Sequence, residues 1–347
     1  MPDITSNPWR GRGLDLDAEF PCDNPQHVRK LLAQCPVHSP TPLLDMPALA
    51  EQVGVASVVV KDERTRKGLG SFKALGAAYA IAREAELTGL TDLKTALNGR
   101  TFVTASAGNH GLSVAAGAQI FGADAVIYLA ETVPAAFADR LQAMGARVMR
   151  AGATYEDSME AAEAAAAAKG WTLLSDSSWP GYSALPLRVM EGYLQLAAEA
   201  AEQMPKPPTH ILLQAGVGGL AAAVAAYSRK IWGDAPEIIV VEPSAAPALQ
   251  ASIAAGKVVE TQGPVSSMGR LDCKTPSLIA LNGLARDADL FVTISEDEAN
   301  HALPILAGLG LDTTPSGGAG LAALLAGLPL GPDARVWAIL SEGPEGG

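Results

Sequence analysis

Short β-branched runs alternate along this chain with longer alanine- and leucine-rich stretches. Val58-Val59-Val60, Phe102-Val103-Thr104, Ala125-Val126-Ile127-Tyr128-Leu129, His210-Ile211-Leu212-Leu213, Ile238-Ile239-Val240-Val241, Leu290-Phe291-Val292-Thr293-Ile294 and Val336-Trp337-Ala338-Ile339-Leu340 read as buried strands. Several lead into a Gly- or Ser-containing turn and then a helical pattern, the α/β rhythm of parallel sheets covered by helices. Residues 154–169 predict a helix with a capping pair at Thr154 and Asp157 and a stop at Gly170. Its alanine run needs no role beyond packing or exposure. No internal repeat is present. The Pro-rich segment 205–209 and the loop-like stretch 261–276 are the candidate connections or active-site covers.

Composition narrows the function classes. The 347 residues amount to about two domains, with 48% apolar and 18% charged residues, as expected of a compact globular protein. A formal charge of -12 argues against a nucleic-acid or anionic-membrane surface and leaves small polar substrates open. Cys22, Cys35 and Cys273 form no CxxC pair, so neither a disulfide framework nor a zinc site is expected. The first residues lack a basic start followed by an apolar segment, and no apolar run is long enough to span a bilayer. The expectation is a cytoplasmic protein.

Three glycine-bearing motifs carry candidate chemistry. In Gly70-Ser71-Phe72-Lys73-Ala74-Leu75-Gly76, Lys73 stands among apolar neighbours near a helix start. Such a setting disfavours the ammonium and frees the amine for a Schiff base, although an isolated lysine of this kind could simply face solvent. Ser106-Ala107-Gly108-Asn109-His110-Gly111 follows a strand and opens a helix, whose free N–H groups and dipole suit a substrate carboxylate. An ordinary capped turn is the plainer explanation. Gln214-Ala215-Gly216-Val217-Gly218-Gly219 also joins strand to helix, and its glycines let the backbone curl round a phosphate with no P-loop lysine. A dinucleotide fingerprint is the rival there, because Gly216-Val217-Gly218 opens a strand-turn-helix unit and Glu242 ends the next strand. The GxGxxG pattern puts Ala221 at its last position. Together the three motifs point to pyridoxal phosphate.

With these motifs the chain resembles the fold-type II pyridoxal-phosphate enzymes, the group of serine/threonine dehydratases and tryptophan synthase β, and more narrowly the diaminopropionate ammonia-lyases. The likeness also covers Thr41-Pro42-Leu43, Val60-Lys61-Asp62-Glu63, Val241-Glu242-Pro243, Asp176-Ser177-Ser178-Trp179-Pro180-Gly181-Tyr182 and Ser341-Glu342-Gly343. The last two separate this family from the general dehydratases. The resemblance implies two three-layer α/β domains with mainly parallel sheets and the active site between them. A large cofactor domain would span 1–88 and 190–347, and a small substrate domain 89–189. It further implies a small amino acid substrate as the partner and a homodimer as the assembly.

By the same resemblance Lys73 forms the Schiff base with the cofactor, flanked by Phe72. Gly216, Val217, Gly218, Gly219 and Leu220 hold the phosphate, Asn109 contacts the pyridine 3′-oxygen, and Ser341 faces the pyridine nitrogen. A neutral hydroxyl there does not keep the nitrogen protonated as a carboxylate would, which favours rapid loss of a β-substituent over transamination. Ser106, Ala107, Gly108, Asn109 and His110 receive the substrate carboxylate. Lys73 is the expected base and Asp176 the expected acid toward the leaving group, with a turn cap as the plainer role for Asp176.

The chain departs from the family pattern at Ala107, where diaminopropionate ammonia-lyases carry an aspartate and serine racemases a hydroxyl. Alanine moves no proton, so action on one enantiomer, the L form, is expected. Metal binding is not expected, because Glu242 is followed by Pro243-Ser244-Ala245-Ala246-Pro247-Ala248 with no second acid. A serine/threonine-type dehydratase and a β-replacement synthase remain alternatives with the same cofactor, and a nicotinamide-dependent dehydrogenase is the rival with another.

Overall fold

The computed structural model describes residues 2–344. Its strands are β1 (Asp3–Ser6), β2 (Leu43–Asp45), β3 (Ser57–Asp62), β4 (Thr101–Ala105), β5 (Asp124–Leu129), β6 (Arg147–Arg150), β7 (Thr172–Leu173), β8 (His210–Gln214), β9 (Glu237–Pro243), β10 (Leu290–Ile294) and β11 (Arg335–Leu340). They form a seven-stranded sheet in the order β1-β10-β9-β8-β11-β3-β2 and a four-stranded sheet in the order β6-β5-β4-β7. Every pairing is parallel except β1 with β10 and β2 with β3, at the two edges of the larger sheet. This is the expected α/β, fold-type II architecture.

The seven strands legible in the sequence are the interior strands of the two sheets. The four that were not, β1, β2, β6 and β7, are the four edges. An interior parallel strand is covered on both faces and must be continuously apolar, whereas an edge carries no such demand. β6 shows this directly, with Arg147 and Met149 exposed between half-buried neighbours.

Side chains alternate across each sheet. Ile211 and Leu213 join a core that runs unbroken to Ile127 of the smaller sheet, while Leu212 points into a second core with Val58 and Val241. Val103, Val126 and Ala162 fill the outer face of the smaller sheet. The alanine-rich helix Tyr155–Lys169 lies on that face with the expected reciprocal cap between Thr154 and Asp157, and ends on Gly170 at φ 65°. Only Ser158 and Ala162 of it are buried, so the run is largely a surface helix. The helices Lys73–Leu87 and Ala184–Gln203 meet so closely that a Cβ on Gly192 would lie 2.4 Å from the Leu75 carbonyl oxygen.

A buried ionic network fixes the chain just before the lysine motif. Glu199 accepts from Lys61 Nζ at 2.9 Å, Arg66 Nη2 at 2.7 Å and Gln195 Nε2 at 2.9 Å. Burial raises its pKa, but the Arg66 and Lys61 contacts outweigh this and hold the carboxyl at about 2 against an ordinary 4.5. The depressed value makes its stabilisation complete above pH 4.5 and lost as the pH falls toward about 2. Glu199→Gln is expected to cost about 3–5 kcal/mol at neutral pH, because Lys61 stays buried without its anion while Arg66 keeps only Glu63. Urea unfolding should also show the variant losing less stability than the parent between pH 4.5 and 2; equal slopes would refute this.

Candidate active site

Lys73 opens the helix Lys73–Leu87, with Phe72 at its N-cap. Its N–H donates to Ser71 Oγ at 3.1 Å, and the Phe72 N–H donates to the Ser341 carbonyl at 3.1 Å. Ser341 follows β11 directly and is buried, so the expected ring-nitrogen partner sits beside the lysine motif. The lysine Nζ lies 5.3 Å from the centre of the Phe72 ring and hydrogen-bonds Asp176 Oδ2. Both side chains are about one fifth exposed, 23% and 20%, so the pair faces a cleft.

The charge state of this pair corrects one expectation. Apolar surroundings alone would disfavour the Lys73 ammonium, and burial does pull its pKa down, but the Asp176 carboxylate outweighs burial and holds it well above the usual lysine range. Burial likewise raises Asp176, and the Lys73 cation overrides it and holds the carboxyl well below the usual range. The ligand-free protein therefore holds an ion pair. When the Lys73 charge is removed, burial at Asp176 loses its strongest opponent and the carboxyl moves up, toward a proton-carrying state.

Asp176 is carried by the segment after β7. Tyr182 Oη receives the Ser175 N–H at 3.0 Å and donates to the Leu173 carbonyl at 2.9 Å, while its ring stacks on Trp179 with centroids 4.4 Å apart. Ser178 ties the segment to the larger unit through Ser277 Oγ at 2.7 Å and the Ile279 N–H at 2.9 Å. The 176–182 stretch thus fixes a loop whose first residue faces the lysine.

The second motif forms the turn from β4 into the helix Asn109–Ile120. Ser106 Oγ accepts from the N–H groups of Gly108 at 3.3 Å and Gly111 at 3.0 Å, so the hydroxyl serves as a cap and is turned into the loop. Asn109 and His110 occupy the first two helical positions, whose N–H groups have no partner within the helix. Ala107 is exposed at the turn and Gly108 lies beside it. His110 is buried, with Nε2 against the Leu174 carbonyl at 2.8 Å. That contact makes Nε2 the donor and leaves Nδ1 without a hydrogen bond. Burial lowers its pKa, with Asp176 opposing and Lys73 adding, so the imidazole is neutral. The Asn109 amide donates to the Glu342 carboxylate.

The third motif links β8 to the helix Gly219–Trp232. A Cβ on Gly216 would meet Cys273 Sγ at 2.9 Å and Arg270 O at 3.1 Å, and Gly218 stands at φ 98° with Ala280 Cβ 3.1 Å from where its own would be. Only glycine fits these places. Gly219 and Leu220 begin the helix and present free N–H groups, with Val217 in the loop before them. This cradle suits the phosphate of pyridoxal phosphate, and the amine of Lys73 and the buried Ser341 suit its aldehyde and ring nitrogen. A dinucleotide is disfavoured, because the Glu242 carboxylate is buried and accepts the Leu249 and Gln250 N–H groups at 2.7 Å each, out of reach of a ribose. Among the described residues no group of three or more His, Cys, Asp or Glu side chains is placed to hold a metal.

Several site residues escaped the sequence reading. Glu342 receives Thr314 Oγ1 and Arg270 Nε, the latter at 2.9 Å, in addition to Asn109. Its position directly after Ser341 was the available signal. Arg270 and Cys273 come from the 261–276 loop, which borders the site, whereas 205–209 merely leads into β8. Burial and then Asp176 push the Cys273 thiol up to about 12, so it stays neutral. Tyr193, on the helix Ala184–Gln203, lies against both Phe72 and Lys73, with Lys73 Nζ 5.9 Å from its ring centre. A buried aromatic on a helix gives no sequence sign that separates it from core.

The comparisons with known proteins agree with this geometry. Residues 35–342 match the family described as pyridoxal-phosphate dependent enzyme. Diaminopropionate ammonia-lyase of Escherichia coli (strain K12) is 35% identical over 283 residues, 78% of this chain and 71% of that one. Human L-serine dehydratase/L-threonine deaminase is 30% identical over 270 residues, 77% of this chain and 76% of that one. The crystal structure of the Escherichia coli diaminopropionate ammonia-lyase in complex with an aminoacrylate-PLP azomethine reaction intermediate superposes with a TM-score of 0.88 at 31% identity, covering 99% of this chain and 94% of that one. The glycine cradle, the lysine and these matches together establish that the chain belongs to the diaminopropionate ammonia-lyase family of pyridoxal-phosphate-dependent enzymes.

Proposed function

We propose that this protein eliminates the β-amino group of L-2,3-diaminopropionate to give pyruvate and ammonia. The observation that carries this reading is the contact between Lys73 Nζ and Asp176 Oδ2, near Cys273, which packs against Gly216 of the glycine cradle. When bound, pyridoxal phosphate supplies the electrophile for the substrate amine and the electron sink that acidifies Cα. The N–H groups of Gly219 and Leu220 hold its phosphate, and those of Asn109 and His110 hold the substrate carboxylate at the positive end of their helix. Lys73 Nζ takes the α-proton as base. Asp176, freed from the lysine cation, gives a proton to the departing β-group, and its contact with Nζ makes the two groups one relay. The segment 176–182 keeps that relay in register.

Ala107 favours a second reading, a serine- or threonine-type dehydratase, because the carboxylate that could receive a second ammonium is missing from the turn. Steady-state 2-oxo acid release from L-diaminopropionate, its D enantiomer, L-serine and L-threonine separates the two. The ammonia-lyase reading expects the highest kcat/KM for L-diaminopropionate; a higher value for L-serine would favour the dehydratase. With no proton carrier at Ala107, the D enantiomer is expected at least ~10²-fold slower, the scale of a missing acid or base. Comparable turnover of both enantiomers would show a proton carrier elsewhere. An added nucleophile that diverts product from the 2-oxo acid would point to β-replacement instead.

The same reading assigns 1–88 and 190–347 to a cofactor domain and 89–189 to a substrate domain. The split of the two sheets supports it, although residue 190 falls within the helix Ala184–Gln203. A homodimer belongs to this reading through the resemblance, and a cytoplasmic location through the cysteine pattern, which suggests no disulfide framework. No described helix is long and apolar enough to cross a membrane, and a single-subunit mass in sedimentation would remove the dimer.

A further inference from the structure

Tyr193 is 1% exposed and wedged between the lysine helix and the glycine cradle. Its ring stands edge-on to Phe72, centroids 4.9 Å apart at 61°, and a Cβ on Gly219 would lie 3.8 Å from Cε2. The missing side chain of Gly76 makes room for it, since a Cβ there would come within 2.8 Å of the Tyr193 hydroxyl. Packing alone would be served by phenylalanine. The hydroxyl is instead buried beside the Lys73 amine, which lies near enough to act on it, and it meets no other hydrogen-bond partner. Burial, opposed by Lys73 and aided by Asp176, pushes the phenol up to about 12, so it remains a neutral hydroxyl at working pH.

We propose that the Tyr193 hydroxyl is a positioning residue for Lys73, accepting a hydrogen bond from the ammonium and donating one to the neutral amine, so that Nζ stays aimed into the cleft in both states. A hydroxyl can do both, and the Asp176 carboxylate can only accept. The inference rests on Lys73 being the cofactor lysine. It requires no new reactant, because the proton moves only between groups already at the site.

Tyr193→Phe removes one oxygen and keeps the packing. Competitive labelling of Lys73 with an amine-reactive reagent at fixed pH, in the cofactor-free protein, should run about threefold or more faster than in the parent, because the charge-assisted bond the ammonium loses is stronger than the neutral bond the amine loses. In the loaded enzyme kcat should fall about tenfold, with KM within twofold and the thermal midpoint no lower than the parent's. A labelling curve that superimposes on the parent, or a kcat within twofold of it, overturns the proposal. Borohydride reduction of the loaded parent enzyme, followed by peptide mapping, separates the two failures. The cofactor found on another lysine overturns the reading of the site as well, whereas the cofactor on Lys73 with an unaltered Tyr193→Phe variant overturns only the role of Tyr193.

Discussion

Lys73→Ala is expected to lower kcat/KM by about 10³-fold or more, the loss of a covalent anchor and a base together. The variant should still fold. Lys73 is 23% exposed, and the Asp176 left behind is relieved by protonation, since burial then raises its pKa without an opposing ammonium. Phosphate binding should persist, because the cradle of glycines and helix N–H groups does not involve the lysine side chain. The variant is thus expected to bind pyridoxal phosphate reversibly and to release it on gel filtration, with no borohydride-stable label. Retained turnover, or a stable label on another lysine, would refute the assignment.

Asp176→Asn is expected to act on two quantities in opposite directions. Turnover should fall by about 10²–10⁴-fold, the usual scale for removing a general acid. Capture of pyridoxal phosphate should extend to lower pH, because the Lys73 amine loses the carboxylate that holds it charged and burial then lowers its pKa. A turn cap would leave both unchanged, so the pair of measurements separates the chemical role from the plainer one. Turnover within twofold of the parent would remove Asp176 from the mechanism.

Much of this site could be read from sequence because its parts are local. A glycine loop between a strand and a helix marks a candidate phosphate cradle with a dinucleotide fingerprint as its rival, and the turn at 106–111 marks a candidate carboxylate site with an ordinary capped turn as its rival. Interior strands announce themselves because burial on both faces demands an unbroken apolar run, which β1, β2, β6 and β7 escape at the sheet edges. The ionisation of Lys73 was not legible. Its sequence neighbours are apolar, yet the group that sets its charge lies 103 residues away. Glu342 and Tyr193 were missed for the same reason, since only the folded chain brings them to Asn109 and Lys73. Ser106 belongs to the turn expected to receive the substrate carboxylate, and in the fold its hydroxyl accepts from the N–H groups of Gly108 and Gly111.

The central claim, elimination of an amine across the Lys73 and Asp176 relay, is tested most directly by the stoichiometry of products from L-2,3-diaminopropionate. Loss of the β-amine followed by hydrolysis of the α-imine releases two ammonia for each pyruvate, and that ratio is the expected result. No pyruvate from this substrate, with L-serine giving one ammonia for each pyruvate, would contradict it.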